Sequence, residues 1–204
     1  MSVTVVDYGM GNIASLRNAF AKVGAEVSLS HDADEIASAE RLALPGVGAF
    51  GRCTAELRER GIFEAVAAAL RSGRPVLGIC LGFQVLFERS TEFGQHQGFG
   101  RFAGVVDAFD SGNVVVPHMG WNSLELVREH PIFHGVPSGS HVYFLHSFRP
   151  TFDDQPAVLA RTEYDGTFTS AVGSENVVGF QFHPEKSGPV GLRLLANFLS
   201  WKPK

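Results

Sequence analysis

Cys80 lies between two glycines, in the pattern Gly78-x-Cys80-x-Gly82, directly after an apolar run. The composition of residues 76–79 is typical of a buried strand, and a helical pattern follows the cysteine. A sharp strand-to-helix turn holds such a central residue in a strained backbone conformation, and side chains at the flanking positions would collide. The turn aims the sulfur at the free N–H groups of the next helix, which favour a thiolate. The pattern predicts a nucleophile, although a buried structural cysteine in such a turn is the alternative.

His183 and Glu185 have the residue types that a thiol nucleophile needs, a base and a group that orients the base. An apolar run precedes them, and Pro184 favours an extended rather than helical His183. Residues two apart on an extended chain project to the same side. Glu185 can therefore reach one imidazole nitrogen, fix the tautomer and stabilise the imidazolium, while the other nitrogen faces the thiol. A lone loop histidine is more often simply solvated, but the Cys80 turn favours the catalytic interpretation.

The loop Pro45-Gly46-Val47-Gly48 offers electrophilic assistance. Its glycines allow backbone N–H groups to approach a substrate closely. In a parallel sheet, this loop and the cysteine turn both leave the carboxyl ends of strands, where ligands bind. We therefore predict that the amides of Val47 and Leu81 form an oxyanion pocket. A plain turn is the alternative, and the Gly-Lys-Ser/Thr of a phosphate loop is lacking.

The first half of the chain alternates between strand and helix patterns. Four apolar runs are typical of buried strands: residues 3–6, 27–29, 42–44 and 74–79. Helical spacing follows Asn12, a plausible N-cap, and recurs over residues 61–70. The alternation predicts an α/β fold with a mostly parallel central sheet flanked by helices.

The second half has fewer helical patterns between its apolar runs. Six of these runs resemble strands: residues 99–109, 114–117, 142–148, 157–162, 168–172 and 177–182. We therefore expect antiparallel additions to the sheet here. A helix over residues 191–201, with Leu192, Leu195 and Phe198 on its apolar stripe, closes the chain. No internal repeat or linker interrupts the pattern, so we predict a single domain over residues 1–204.

The composition is that of a globular protein, with 204 residues of which 45% are hydrophobic and 19% charged. The net charge of −4 is poorly suited to nucleic acid or to an anionic membrane. No apolar run approaches the roughly 18 residues of a membrane span, and the first residues lack the features of a signal peptide. We therefore expect a cytoplasmic protein.

The chain has two cysteines, Cys53 and Cys80, which cannot form a disulfide framework or a four-cysteine zinc site. No metal and no cofactor are expected. Cys53 falls in a helical pattern without flanking glycines or an adjacent base, so we expect it to be inert.

Three segments resemble the signatures of class I glutamine amidotransferases: Pro45-Gly46-Val47-Gly48, Gly78-Ile79-Cys80-Leu81-Gly82-Phe83-Gln84 and His183-Pro184-Glu185. Four segments are similar to glutaminase subunits of imidazole glycerol phosphate synthase, an enzyme of histidine biosynthesis: Asp7-Tyr8-Gly9-Met10-Gly11-Asn12, Pro117-His118-Met119-Gly120-Trp121-Asn122, Tyr143-Phe144-Leu145-His146-Ser147 and Gln181-Phe182-His183-Pro184-Glu185-Lys186-Ser187. The resemblance runs from Val3 to Phe198.

The resemblance implies a flavodoxin-like fold and the hydrolysis of glutamine to glutamate and ammonia. It implies that Cys80 attacks the carboxamide, that His183 is the general base and that Glu185 orients the histidine. Further residues that it implies stabilise the oxyanion or contact glutamine: Gly46, Val47 and Leu81 for the oxyanion, and Gly48 and Gln84 for glutamine.

The resemblance also implies a heterodimer with a (β/α)₈ barrel cyclase subunit. That subunit uses the ammonia to make imidazole glycerol phosphate and aminoimidazole carboxamide ribotide. The positions that it associates with the docking face are Asn12, Met119, Trp121 and Lys186. Met119 and Trp121 flank Gly120 in a predicted loop, where they are a poor solvent surface but a good pair of anchors. Core packing is the alternative for an isolated tryptophan.

Three other functions remain open on the sequence alone. The chain could provide the glutaminase activity of another synthase, although residues 117–122 argue against this. It could be a free-standing γ-glutamyl cysteine hydrolase, which predicts activity without a partner and a hydrophilic surface around Met119 and Trp121. It could also be a non-catalytic module, but Cys80, His183 and Glu185 are all retained.

Overall fold

A computed structural model of the chain describes residues 1–110, 112–152 and 156–203. The strands of these ranges, in chain order, are β1 (Ser2–Val6), β2 (Glu26–Ser30), β3 (Leu42–Leu44), β4 (Val76–Ile79), β5 (Phe87–Ser90), β6 (His96–Gln97), β7 (Phe102–Ala108), β8 (His118–Ser123), β9 (Glu125–Leu126), β10 (His141–His146), β11 (Phe148–Thr151), β12 (Val158–Glu163), β13 (Thr167–Ser174) and β14 (Val177–Phe180). The α-helices are α1 (Ile13–Lys22), α2 (Ala33–Ser38), α3 (Phe50–Glu59), α4 (Phe63–Arg71), α5 (Leu81–Gln84) and α6 (Gly188–Ser200). Short 3-10 turns cover Pro131–Phe133 and Pro184–Lys186.

Eight strands form the central sheet, in the order β2-β1-β3-β4-β14-β13-β12-β9. The first five of these strands pair in parallel. The remaining three continue the sheet in antiparallel fashion. The predicted α/β fold, with a mostly parallel sheet and antiparallel additions from the C-terminal half, is confirmed.

Helices cover both faces of this sheet, because alternate strand residues point to opposite sides. On one face, Val5 and Leu77 belong to a buried cluster that α1 and α6 complete. On the other face, Val6 and Val76 pack with residues of α2, α3 and α4. β1 and β4 therefore contribute side chains to both clusters, and β4, which is buried throughout, has no polar residue.

Two smaller sheets stand beside the central one. β11, β7, β5 and β6 form a four-stranded sheet, and β10 pairs with β8 alone. The β8–β10 pair is antiparallel and places His118 opposite His146 and Trp121 opposite Tyr143. Together these small sheets form a wall against the turn that follows β4.

The structure corrects the prediction for residues 114–121. Residues 114–117 are not a strand, because Pro117 has no N–H for a strand ladder, and β8 begins only at His118. Met119 and Trp121 lie on this strand and not in a loop as predicted.

Three helix predictions differ from the structure in detail. The helix after the cysteine, α5, is a single turn, because β5 begins at Phe87. Asn12 lies at the start of α1, but its side chain makes no capping hydrogen bond. In α6 the fully buried leucines are Leu194 and Leu195, whereas Leu192 is only half-buried.

Neither a membrane-spanning segment nor a metal cluster is found in the part of the chain that the structure describes. No helix there is both long and apolar enough to cross a bilayer. No group of three or more histidine, cysteine, aspartate or glutamate side chains there could hold a metal ion.

Candidate active site

Cys80 occupies the turn between β4 and α5 in a left-handed backbone conformation, with φ +53° and ψ −108°. A non-glycine residue rarely adopts this region, so the surrounding structure must enforce it. The flanking glycines are what permit the turn. A Cβ on Gly82 would collide with the carbonyl group of Leu44 in β3, and a Cβ on Gly78 would lie 2.7 Å from the carbonyl oxygen of Gly82. The elbow that the glycine spacing predicts is therefore present.

His183 and Glu185 form a buried pair at the end of β14. The Nδ1 atom of His183 lies 2.8 Å from Oε1 of Glu185, and both side chains are about 3% exposed. His183 is extended, as predicted, but Glu185 lies in the 3-10 turn that begins at Pro184. The carboxylate therefore reaches the ring through a tight turn and not along a strand.

Backbone contacts with β10 fix the position of His183. Its N–H donates to the carbonyl of Tyr143 over 2.9 Å, and its carbonyl accepts from the Ser187 hydroxyl over 2.6 Å. The same hydroxyl accepts from the Tyr143 N–H over 3.0 Å. The imidazole is thus held from behind by β10 as well as by the strand that precedes it.

The second ring nitrogen of His183 is on the side of Cys80, which lines the same cavity. Among the described residues, no well-aligned hydrogen bond reaches its Nε2 atom, which leaves that atom to interact with the Cys80 thiol. Burial acts to lower the pKa of His183, but hydrogen bonding and charge interactions with Cys80 and Glu185 outweigh it and raise that pKa to about 10. The site therefore stabilises the imidazolium form, which is the form that supports a thiolate neighbour.

A cavity of about 270 Å³ opens at the carboxyl ends of β3 and β4. Six of the site residues predicted from the sequence line this cavity: Val47, Gly48, Cys80, Leu81, Gln84 and His183. Glu185 lies behind His183, and Gly46 underlies the loop at Val47. The structure therefore brings the predicted catalytic, oxyanion and glutamine-contact residues to one place. The assignment of a role to each of them stays a prediction.

Sequence reasoning missed half of the cavity wall: Glu92, Pro117, Leu145, His146, Ser147 and Phe148. Four of these residues fall in segments that carried the resemblance, and their position next to Cys80 follows only from the pairing of β8 with β10. Glu92 had no motif around it.

Glu92 is the acidic side chain of the cavity wall. It is 9% exposed, and its Oε2 atom accepts from the N–H of Phe50, at the start of α3, over 2.6 Å. Burial raises the pKa of Glu92, although the Phe50 hydrogen bond and nearby His96 act to lower it. A cationic group in the cavity would relieve this cost of burying a carboxylate.

The predicted oxyanion donors are not both free in this conformation. The Leu81 N–H donates to the carbonyl oxygen of Gly46 over 3.4 Å. The preceding carbonyl, that of Pro45, accepts from the hydroxyl of buried Tyr8 over 2.8 Å. A Cβ on Gly46 would lie only 2.5 Å from that hydroxyl, so the loop requires glycine there.

Gln84 points across the back of the cavity and links its two sides. Its Nε2 atom donates to the carbonyl of Phe148 over 2.8 Å and to Oε1 of Gln181 over 3.2 Å. The Gln181 amide lies 4.0 Å from the sulfur of Cys80, and that sulfur lies 3.7 Å from the Leu145 carbonyl oxygen. The residue predicted to contact glutamine is therefore already part of the wall.

Cys53 is in α3, as predicted, and is fully buried. Its thiol contacts the hydroxyl of Tyr8 over 3.3 Å. Burial raises the pKa of Cys53 to about 12, against a smaller opposing effect of that hydrogen bond. This thiol stays protonated at neutral pH and lies outside the cavity.

Three of the four predicted docking residues, Met119, Trp121 and Lys186, are exposed, and Asn12 is half-buried. Met119 is 65% and Trp121 56% exposed. Trp121 packs edge-on against Tyr143 at 6.2 Å between ring centroids, and Nζ of Lys186 lies 5.5 Å from the same tyrosine ring. We call Met119, Trp121, Tyr143 and Lys186 the outer patch. Asn12 lies at the start of α1, the helix that contacts the 3-10 turn carrying Lys186.

Residues 4–201 match the family described as glutamine amidotransferase class-I. The chain belongs to this family. Among curated relatives, this amidotransferase is 46% identical over 204 residues to the "Imidazole glycerol phosphate synthase subunit HisH" of Sulfurimonas denitrificans, covering 98% of each chain. It is 45% identical over 199 residues to the protein of the same name from Aquifex aeolicus, covering 97% of this chain and 96% of that one.

Solved structures share the fold of this amidotransferase at low sequence identity. The structure of PurLQS from Thermotoga maritima superposes with a TM-score of 0.78 at 23% identity, covering 98% of this chain and 97% of that one. A crystal structure described as that of a glutamine amidotransferase gives a TM-score of 0.74 at 20% identity, with 97% of each chain covered.

Proposed function

We propose that this amidotransferase is the glutaminase subunit of imidazole glycerol phosphate synthase in histidine biosynthesis, and that one domain over residues 1–204 carries the glutaminase reaction. The observation that carries the proposal is that Cys80 and His183 face each other in one cavity, with Glu185 2.8 Å behind the imidazole. Identity of 46% over 98% of both chains supports the choice of synthase.

In the first half-reaction, the sulfur of Cys80 attacks the side-chain carboxamide carbon of glutamine. The sulfur attacks as the thiolate, because its proton already resides on His183 in the resting site. The C–N bond then breaks as the imidazolium protonates the leaving nitrogen. The products of this half are ammonia and a γ-glutamyl thioester on Cys80. Glu185 keeps the imidazole in one orientation and stabilises its charge.

In the second half-reaction, water attacks the thioester carbon while neutral His183 accepts a proton from it. The C–S bond breaks, glutamate leaves and the proton returns to the cysteine–histidine pair. One imidazole thus serves as acid and base in turn. The raised pKa of His183 favours the charged form in the resting site.

The oxyanion of each tetrahedral intermediate needs donors that the resting loop only partly offers. Because the Leu81 amide is bonded to the Gly46 carbonyl, the Gly46–Val47 peptide must turn before Leu81 and Val47 can both donate to an oxyanion. The Tyr8 hydroxyl holds the adjacent Pro45 carbonyl, so the rotation is confined to one peptide unit. Gly48, with φ +102°, supplies the freedom on the far side.

Glutamine carries an α-ammonium group that must be recognised together with its carboxamide. Glu92 lines the same cavity as Cys80 and presents a buried carboxylate. We propose that Glu92 receives the α-ammonium, because a charge-assisted hydrogen bond there would offset the cost of its burial. Gln84 then contacts the substrate from the other wall.

The ammonia is proposed to pass to a (β/α)₈ barrel cyclase subunit, which docks on the outer patch with Asn12 at its margin. Exposed Met119 and Trp121 have the chemistry of interface anchors. The second subunit is proposed from the relatives, which are named as subunits of a synthase. We place the complex in the cytoplasm as part of this proposal.

Replacing the nucleophile tests the proposal directly. In the complex with the co-purified barrel subunit, Cys80→Ala should reduce glutamine-dependent synthesis at least about a thousandfold, since no other thiol lines the cavity to form the thioester. Synthesis from added ammonia should be unchanged. Cys53→Ala is the matched control and should retain glutamine-dependent activity. Glutamine hydrolysis that survives in Cys80→Ala would refute the mechanism.

A further inference from the structure

His118 and His146 form a buried pair that the proposed glutaminase mechanism does not use. They stand opposite each other on the antiparallel strands β8 and β10. Nδ1 of His118 lies 3.1 Å from Nε2 of His146, and both side chains are almost fully buried. Two imidazoles in direct contact away from solvent are costly to bury unless every nitrogen has a partner.

Each remaining ring nitrogen does have a partner. Nδ1 of His146 lies 2.8 Å from the carbonyl oxygen of Phe148, and Nε2 of His118 lies 3.3 Å from Nδ2 of Asn122. Asn122 also donates to the carbonyl of Glu163 over 3.0 Å, which fixes the orientation of its amide. We call Asn122, His118, His146 and the Phe148 carbonyl the histidine chain.

The direction of every hydrogen bond in the histidine chain follows from its two ends. A carbonyl only accepts, so Nδ1 of His146 carries its proton and Nε2 of the neutral ring accepts. His118 must then donate from Nδ1, and its Nε2 accepts from the Asn122 amide. Burial lowers the pKa of His118 to about 4 and that of His146 to about 3, in agreement with two neutral rings.

Aromatic packing fixes the orientation of the His118 ring. The His118 ring is stacked between Tyr164, at 3.9 Å and 18° between planes, and Phe144, at 4.7 Å and 21°. An imidazole held on both faces cannot rotate out of line, so the proton that it donates points continuously at His146.

The His146 end of the histidine chain lies in the wall of the glutamine cavity. His146 and Phe148 both line that cavity beside Cys80. The Phe148 carbonyl accepts from His146 and also from the amide of Gln84, over 2.8 Å each. If the His146 ring moved away, its Nδ1 would no longer donate, and the carbonyl that positions Gln84 would lose one of its two donors.

We propose that His118 is a positioning residue of the glutaminase reaction: by donating to Nε2 of His146 it holds that ring where Nδ1 donates to the Phe148 carbonyl, and through this carbonyl it positions Gln84. This inference rests on the proposed glutaminase function, since it assigns these residues to the placement of glutamine. His118 itself touches neither the substrate nor the sulfur.

The test compares three variants in the complex with the barrel subunit. His118→Phe keeps the aromatic stack but removes the donor, and should lower kcat/KM for glutamine by about tenfold, the typical value of one hydrogen bond. His118→Asn places an amide nitrogen near the former Nδ1 and should restore kcat/KM to within about threefold. Tyr164→Phe is the matched control, because it alters a hydroxyl beside the same ring and leaves the chain intact.

An NMR measurement separates positioning from a merely structural role. The nitrogen-15 and proton shifts of the His146 Nδ1–H group should report the same strong hydrogen bond in the unmodified protein and in His118→Asn, and a weaker one in His118→Phe, where nothing holds Nε2 of the ring. Ammonia-dependent synthesis should be the same in all variants. If His118→Phe does not fold, His118→Gln replaces it, because its amide lies nearer Nε2 and also leaves His146 without its donor.

Two results would overturn the inference. The inference would be refuted if kcat/KM were unchanged in His118→Phe, which lacks the donor. It would also be refuted if His118→Asn lost as much kcat/KM as His118→Phe. These results differ from failure of the proposed function itself, in which the unmodified complex would show no glutamine-dependent synthesis.

Discussion

The neutral His118–His146 pair makes a quantitative prediction for stability in acid. The pKa of each ring lies below the ordinary histidine value of 6.5, at about 4 and about 3, because of burial. Below pH 6.5 the unfolded chain binds two protons that the folded chain does not bind, so the free energy of unfolding must fall as the pH falls. The other charged groups around His146 are His183 and Arg149, and both act in the same direction.

The magnitude depends little on the folded pKa values, as long as both lie below the pH of the experiment. A pH of about 5 is about 1.5 pH units below the pKa of each histidine in the unfolded chain. At about 1.4 kcal/mol per pH unit, each ring lowers the free energy of unfolding by about 2 kcal/mol at that pH. As the pH falls from about 8 to about 5, the pair should therefore lower the free energy of unfolding by about 3 to 4 kcal/mol. This is a large part of a typical stability of roughly 5–15 kcal/mol.

Urea unfolding over this pH range measures the effect, with His118→Asn as the perturbation. The variant lacks one of the two titrating rings, so its stability should fall less steeply, by about 1.4 kcal/mol per pH unit below about pH 6. His141→Asn, at an exposed histidine on β10, is the matched control and should run parallel to the unmodified protein. Parallel curves for His118→Asn and the unmodified protein would refute the assignment of two neutral, buried rings.

Three further predictions concern the loop, the cavity and the patch. Tyr8→Phe removes the hydroxyl that donates to Pro45 and should lower the free energy of unfolding by about 1 to 2 kcal/mol in urea titrations; an unchanged midpoint would show that this bond is not needed. Glu92→Gln should raise KM for glutamine at least about tenfold with kcat nearly unchanged in steady-state kinetics, whereas an unchanged KM would place the α-ammonium elsewhere. Trp121→Ala should weaken binding of the barrel subunit by about 2 kcal/mol in calorimetry, without a change in Tm, as expected of an interface anchor; normal affinity would remove the docking assignment.

The parallel half of the fold could be predicted from the sequence because its signals are local. β3 and β4 are buried throughout, so they appear as short runs without a polar residue, and β1 is rich in valine. The elbow at Cys80 could also be predicted, since its glycine spacing is a local pattern of five residues, although the carbonyl that excludes a side chain at Gly82 belongs to Leu44 in β3.

The remaining half of the cavity wall could not be predicted in this way. His118 and His146 are 28 residues apart and meet only because β8 pairs with β10. The register of that pairing cannot be predicted from the sequence of either strand alone. The position of Glu92 could not be predicted either, since its hydrogen-bond partner is the Phe50 amide, 42 residues away. The bond between the Leu81 amide and the Gly46 carbonyl is a choice between backbone conformations that the same glycines permit equally.

The attachment of His183 to β10 has a consequence for redesign. The imidazole and the half-buried Tyr143 ring belong to two segments that are joined by two hydrogen bonds, from the His183 N–H to the Tyr143 carbonyl and from the Tyr143 N–H to the Ser187 hydroxyl. A graft that transplanted the outer patch to a new scaffold would have to bring His183, the proposed catalytic base, along with it, and a graft that left His183 behind would remove the support of the patch. Recognition and chemistry can therefore be exchanged here only as a unit.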